Sequence, residues 1–170
     1  MTTQVFIMYG AGGPVYSGPM ETVLAPMLRA ISGVAVPPTI DWTKWEQIVG
    51  EIGKLPATDK VVLIGHSLGG AMMSAIADKV YPRTVDLLVG YDCTEWSEQT
   101  LKSNVKYILD YHGHTWVNIF GFDLLWDPTA VYKEVQRNND YHVGFASDKF
   151  LHNLTYEAVL ALSKGLPAIT

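Results

Sequence analysis

Ser67 lies in the run Lys60-Val61-Val62-Leu63-Ile64-Gly65-His66-Ser67-Leu68-Gly69-Gly70-Ala71-Met72-Met73, where an apolar strand-like stretch passes through Gly-x-Ser-x-Gly into small, helix-compatible residues. A serine with glycine two positions away on either side can hold a strained backbone conformation, because neither flanking site carries a Cβ to collide with the adjoining strand and helix. Such a turn lifts the hydroxyl clear of a sheet and marks Ser67 as a nucleophile. The free amide of Leu68, at the positive end of the helix that follows, points to where a tetrahedral oxyanion would form. The rival reading is a glycine-rich turn with an inert hydroxyl. The four apolar residues before the motif and the Gly-Ala-Met-Met-Ser-Ala after it supply the strand and helix that the nucleophile reading requires.

At neutral pH a serine hydroxyl is a weak nucleophile and needs an imidazole to take its proton during attack and return it to the leaving group. Five histidines compete: His66, His112, His114, His142 and His152. The imidazole in turn needs a carboxylate that fixes its tautomer and stabilises its charged form. In a parallel sheet that carboxylate follows the carboxyl end of a strand. Asp92, Asp110, Asp123 and Asp127 all qualify by that criterion, whereas Asp86 begins its strand and falls at the wrong end. Each has a plain alternative as a solvated loop carboxylate or a helix cap.

The segment Gly65-His66-Ser67-Leu68-Gly69-Gly70 resembles the Gly-His-Ser-x-Gly-Gly turn of the α/β-hydrolase family. The resemblance is specific at this turn and thinner elsewhere. It implies that the base stands in the loop between the last strand and the last helix. Asn138-Asn139-Asp140-Tyr141-His142-Val143-Gly144-Phe145-Ala146-Ser147-Asp148-Lys149-Phe150-Leu151-His152 looks like that loop, so His142 is the implied base and His152 a helix-start residue. His66 takes the place of a structural residue, and His112 and His114 precede too much chain. Leu88-Val89-Gly90-Tyr91-Asp92 resembles the strand end of small hydrolases that carry their acid early, which favours Asp92. The order Ser67, Asp92, His142 is the family's order. Tyr9-Gly10-Ala11-Gly12-Gly13-Pro14 resembles its glycine-rich oxyanion loop, with Tyr9-Gly10 in place of the usual leading histidine. Ala11 or Gly12 is then the second amide donor, partnering Leu68.

These residues need a framework, and strand-like runs alternate with helix-like runs along the chain. That rhythm predicts an α/β fold, a mostly parallel sheet with helices on both faces. Strands are expected over 5–9, 34–36, 60–64, 85–91, 105–111 and 131–136. Helices are expected over 20–31, from Asp41 or Thr43 to 55, over 68–81, around 95–102 and over 151–164. The aromatic stretch 116–128 reads either as a core-packed hairpin or as the wall of an acyl pocket.

The whole chain of 170 residues, 48% apolar and 17% charged, fits one domain (1–170), which is short for an α/β hydrolase and implies no large lid. A net charge of −5 without a basic run argues against nucleic acid. No apolar stretch approaches the ~20 residues of a membrane span. The lone Cys93 excludes an internal disulfide and points to a reducing, cytoplasmic setting. Gly10-Ala11-Gly12-Gly13 fails as a dinucleotide fingerprint, since Pro14 intervenes and Val15 holds the third glycine's place. His112-Gly113-His114 lacks a third metal ligand, so neither metal nor cofactor is expected.

The expectation is therefore a serine hydrolase acting on a small-molecule acyl ester or thioester through an acyl-enzyme. An acyltransferase using the same nucleophile and a non-catalytic hydrolase-like binding domain are the alternatives. Trp42, Trp96, Trp116 and Trp126 give only a weak hint of apolar substrate contacts.

Overall fold

Among the described residues seven strands build one sheet: β1 (Thr3–Tyr9), β2 (Val34–Ala35), β3 (Ile40–Asp41), β4 (Lys60–His66), β5 (Val85–Tyr91), β6 (Val105–His112) and β7 (Val131–Gln136). The computed structural model describes residues 1–94, 103–113, 129–137 and 141–169. The expected helix at 95–102 and the aromatic stretch 116–128 lie outside the described residues, as do Trp96, Trp116, Trp126, His114, Asp123 and Asp127. The strand order is β2-β1-β4-β5-β6-β7, with β3 also pairing with β1, and every pairing is parallel. The fold is α/β, as the alternation of patterns requires.

Alternating side chains along each strand feed two separate cores. Val5, Ile7 and Tyr9 of β1, with Val62 and Ile64 of β4, meet Met20, Leu24, Leu28 and residues of helix α5 (Lys149–Ser163) on one face. Phe6, Met8, Val61 and Leu63 meet helices α3 (Trp45–Lys54) and α4 (Leu68–Val80) on the other. Strands β4 and β5 are buried nearly throughout, which explains their continuous apolar runs.

The chain leaves β1 toward β2 and β3 on one side, then crosses back to β4 on the other before running outward through β5, β6 and β7. The order therefore reverses between β1 and β4. In open parallel sheets the crevice at the carboxyl ends of such strands is where ligands bind. The β1 turn beginning at Gly10 and the β4 turn at Ser67 flank that point.

Two local readings differ from the sequence expectation. The first helical region begins not at 20 but at Pro14: α1 (Pro14–Pro19) runs through a π turn (Met20–Leu24) into α2 (Ala25–Arg29). Pro14 is suited to a helix start by its fixed φ. The wide turn sits between Pro19 and Pro26, whose missing N–H groups interrupt regular i→i−4 bonding. The short β3 was not anticipated because Pro37 and Pro38 mask a two-residue pairing of Ile40 and Asp41 with Met8 and Tyr9. Asp41 does cap the next turn, its side chain accepting from Thr43 N at 3.0 Å.

Candidate active site

Strand β4 ends at His66 and α4 begins at Leu68, so Ser67 alone makes the corner, with φ 56° and ψ −124°. For a residue with a Cβ this backbone costs on the order of 1–3 kcal/mol. The corner is pinned on every side. Ser67 N donates to Tyr91 O of β5 at 3.0 Å, and Ser67 O accepts from Gly70 N at 2.9 Å, Ala71 N at 3.2 Å and Thr94 N at 3.3 Å. With its peptide groups so held, the residue has only its side chain to direct toward the crevice.

Glycines let α4 lie close enough to make that corner. A Cβ on Gly69 would stand 2.6 Å from Tyr9 O and 2.7 Å from Met8 O, and one on Gly65 would strike the backbone of Gly69. Gly10 has the most direct bearing on Ser67. A Cβ there would lie 2.7 Å from both His66 O and Ser67 Cβ and 3.3 Å from Ser67 Oγ. The turn after β1 thus rests against the serine with no side chain between them.

Asp92 follows the last residue of β5 and also takes a positive φ, 46°. Its N–H donates to Tyr111 O at 2.6 Å, and its Oδ1 accepts from Gly113 N at 3.2 Å. These bonds leave Oδ2 facing His142, whose Nδ1 lies 2.6 Å away. A carboxylate only accepts, so Nδ1 carries the proton and Nε2 of the neutral ring presents a lone pair. That Nε2 lies 2.8 Å from Ser67 Oγ, which donates to it. Ser67 and Asp92 are each 5% exposed. The imidazole between them is partly open to solvent.

His142 opens a 3-10 turn (His142–Ser147) that leads directly into α5. Asp148 caps α5, its Oδ1 accepting from Phe150 N at 2.7 Å and Leu151 N at 3.3 Å, while Oδ2 pairs with Arg137 Nε at 2.9 Å. His152, the alternative base in the sequence, is buried, and its Nε2 donates to Ala146 O at 3.0 Å. It braces the turn that carries His142 rather than approaching Ser67. Burial holds the His152 imidazole below its ordinary range.

Among the described residues, the remaining candidates are engaged elsewhere. Asp110 is fully buried and accepts from Tyr132 Oη at 3.0 Å. Asp86, at the opposite end of the sheet, accepts from Val61 N at 3.0 Å and from Lys106 Nζ at 2.9 Å. His112 pairs with Glu134 at 2.9 Å. Cys93 is buried, and the lost solvation, with Asp110 and Asp92 nearby, pushes its thiol well above the ordinary range.

Among the amide donors, Leu68 N occupies the first helical position, where no intrahelical acceptor exists. Gly10 N is already committed to Ser17 Oγ at 3.2 Å, so Ala11 and Gly12 are the next amides of the β1 turn. Gly12 and Gly13 have φ of 80° and 55°, values that glycine tolerates and that bend this turn back into α1. Sequence reasoning overlooked Ser17. It sits three residues after Pro14, and no motif distinguishes it from an ordinary helix serine.

An apolar cleft of about 350 Å³, lined by Phe6, Pro37, Pro38, Ile40 and Ile48 among others, opens along α3 and contains none of Ser67, Asp92 or His142. Among the described residues no group of three or more His, Cys, Asp or Glu could hold a metal ion. Likewise, no helix among them is long and apolar enough to cross a membrane. No protein-family model matches this chain, and no curated protein matches it.

Proposed function

We propose that this chain is a serine hydrolase that cleaves a carboxylic ester or thioester of a small acyl substrate through an acyl-enzyme intermediate. The observation that carries this reading is the unbroken chain Ser67 Oγ–H to His142 Nε2 at 2.8 Å and His142 Nδ1–H to Asp92 Oδ2 at 2.6 Å. It begins at a serine whose φ of 56° is stored strain, and its tautomer is the one general-base catalysis needs. The resemblance of Gly65-His66-Ser67-Leu68-Gly69-Gly70 to the α/β-hydrolase turn supports the same reading.

In this mechanism Ser67 Oγ attacks the acyl carbon as its proton passes to His142 Nε2. Asp92 stabilises the resulting imidazolium. The carbonyl electrons move onto oxygen, where the amides of Leu68 and of Ala11 or Gly12 receive the charge. Collapse of this adduct breaks the bond to the alcohol or thiol, which leaves with the proton from His142. Water then repeats the sequence on the acyl-Ser67 ester, releasing the acid and restoring the hydroxyl.

The test is hydrolysis of p-nitrophenyl esters and acyl thioesters of graded chain length by wild type and Ser67→Ala. Turnover by the wild type that falls by several orders of magnitude in a folded Ser67→Ala protein is the expected result. Equal rates in the two proteins would overturn the reading. Acyl transfer to an added alcohol in preference to water would recast the chain as an acyltransferase.

A further inference from the structure

His66 precedes the nucleophile and takes no part in the proton path, yet it is 1% exposed and uses both ring nitrogens. Nδ1 lies 2.9 Å from Ser17 Oγ, and Nε2 lies 2.9 Å from the backbone carbonyl of His142. Hydrogen-bond direction can be assigned around the whole chain. His142 O can only accept, so His66 Nε2 carries the proton and Nδ1 of the neutral ring is an acceptor. Ser17 Oγ–H therefore donates to Nδ1, while its oxygen accepts from Gly10 N–H at 3.2 Å. The series reads Gly10 N–H to Ser17 Oγ–H to His66 to His142 O, with Ser17 fully buried.

From this geometry we propose that His66 and Ser17 form a positioning couple that sets the height of His142 above Ser67 and, through the same ring, the lie of the β1 turn against the serine. The inference rests on the hydrolase reading and adds to it a residue pair outside the proton path. Residues 10 and 142 belong to distant parts of the sequence, and the His66 side chain bonds to His142 O directly and to Gly10 N through Ser17. It is bonded to Ser67 through a single peptide, so nucleophile, base and oxyanion turn share one reference point. The His66 and His142 rings lie 4.9 Å apart, tilted by 31°. Burial, and the second imidazole so near, keep His66 neutral, with its acidity shifted to about 4. A charged ring would donate from both nitrogens, and the Ser17 hydroxyl would have to turn its proton away from Nδ1.

The bonds at the two ring nitrogens can be separated by substitution. His66→Gln retains a donor near the position of Nε2, and His66→Asn retains an acceptor near that of Nδ1. The couple predicts that His66→Asn loses roughly 10–100-fold in kcat for p-nitrophenyl ester hydrolysis with KM little changed, as misplacement of reacting groups by about an ångström does. His66→Gln recovers most of that loss. Ser17→Ala, which orphans Gly10 N and His66 Nδ1, falls between them. The rate of fluorophosphonate labelling at Ser67 follows the same order, and thermal melts confirm that each variant is folded. In the wild type, 15N NMR of the histidine side chains at neutral pH reports a neutral His66 protonated at Nε2. If the wild type is labelled and His66→Asn and His66→Gln are labelled equally fast, or if His66 is protonated at Nδ1, the positioning couple is wrong and the hydrolase reading stands. A folded wild type that neither turns over ester nor labels overturns both.

Discussion

At the scale of single residues, the site depends on which atom carries which proton. Asp92 is informative because its φ of 46° is one that asparagine also tolerates, so Asp92→Asn alters the chemistry with little disturbance of the backbone. The amide can keep the bond from Gly113 N, but its NH2 then faces His142 Nδ1. That orientation moves the ring proton to Nε2, where it opposes the Ser67 hydroxyl instead of accepting from it. The expected result is a drop in kcat of about 10⁴-fold with a melting temperature close to wild type. A loss under tenfold in steady-state ester hydrolysis would contradict the assignment. Ser67, His142 and Asp92 were legible as residues because the corner motif and the loop resemblance mark them. The Ser17–His66 pair was not, since its meaning lies in hydrogen bonds between residues 49 positions apart.

At the scale of elements, what matters is how closely helices and turns approach the carboxyl edge of the sheet. Gly69 lets α4 approach β1, and a Cβ there meets the backbone oxygens of Met8 and Tyr9 at 2.7 and 2.6 Å, which cannot swing aside. Gly69→Ala is expected to lower stability by about 1–3 kcal/mol, measured by urea denaturation, and to displace Ser67 with it. The start of α5 makes a separable contribution. Asp148→Ala removes the cap and the Arg137 ion pair, a loss of about 1 kcal/mol that lowers the melting temperature by about 2–4 °C. Asp148→Asn keeps the cap and should retain most of that. Strands β5 and β7 match the expected spans 85–91 and 131–136, because their patterns were bounded by clear breakers. The helical region starting at Pro14 was less legible. Its two later prolines are accommodated by a π turn, a compensation that depends on packing beneath it and leaves no periodicity in the sequence.

At the scale of the whole molecule, parallel pairing puts the carboxyl ends of β1, β4 and β5 at a single edge, where the turn carrying His142 meets them, while two cores hold the sheet from either face. Burying imidazoles beneath that edge couples the site to global stability. His66 is shifted from 6.5 to about 4 in the folded chain, so between those values the unfolded chain binds the extra proton. Folding stability from this group is therefore complete above about pH 6.5 and is lost as pH falls toward 4, by roughly 3 kcal/mol. His152 adds in the same direction. Urea denaturation at pH 7 and pH 4 should give a smaller difference for His66→Gln than for wild type, and an equal difference would contradict a buried neutral ring facing His142 and Asp92. The central claim is tested most directly by intact mass and peptide mapping after treatment with a fluorophosphonate at neutral pH. The account predicts one adduct per chain, located on Ser67, formed rapidly in the wild type and far more slowly in His142→Ala. A folded chain that stays unmodified, or one modified at Ser67 equally fast without His142, would contradict it.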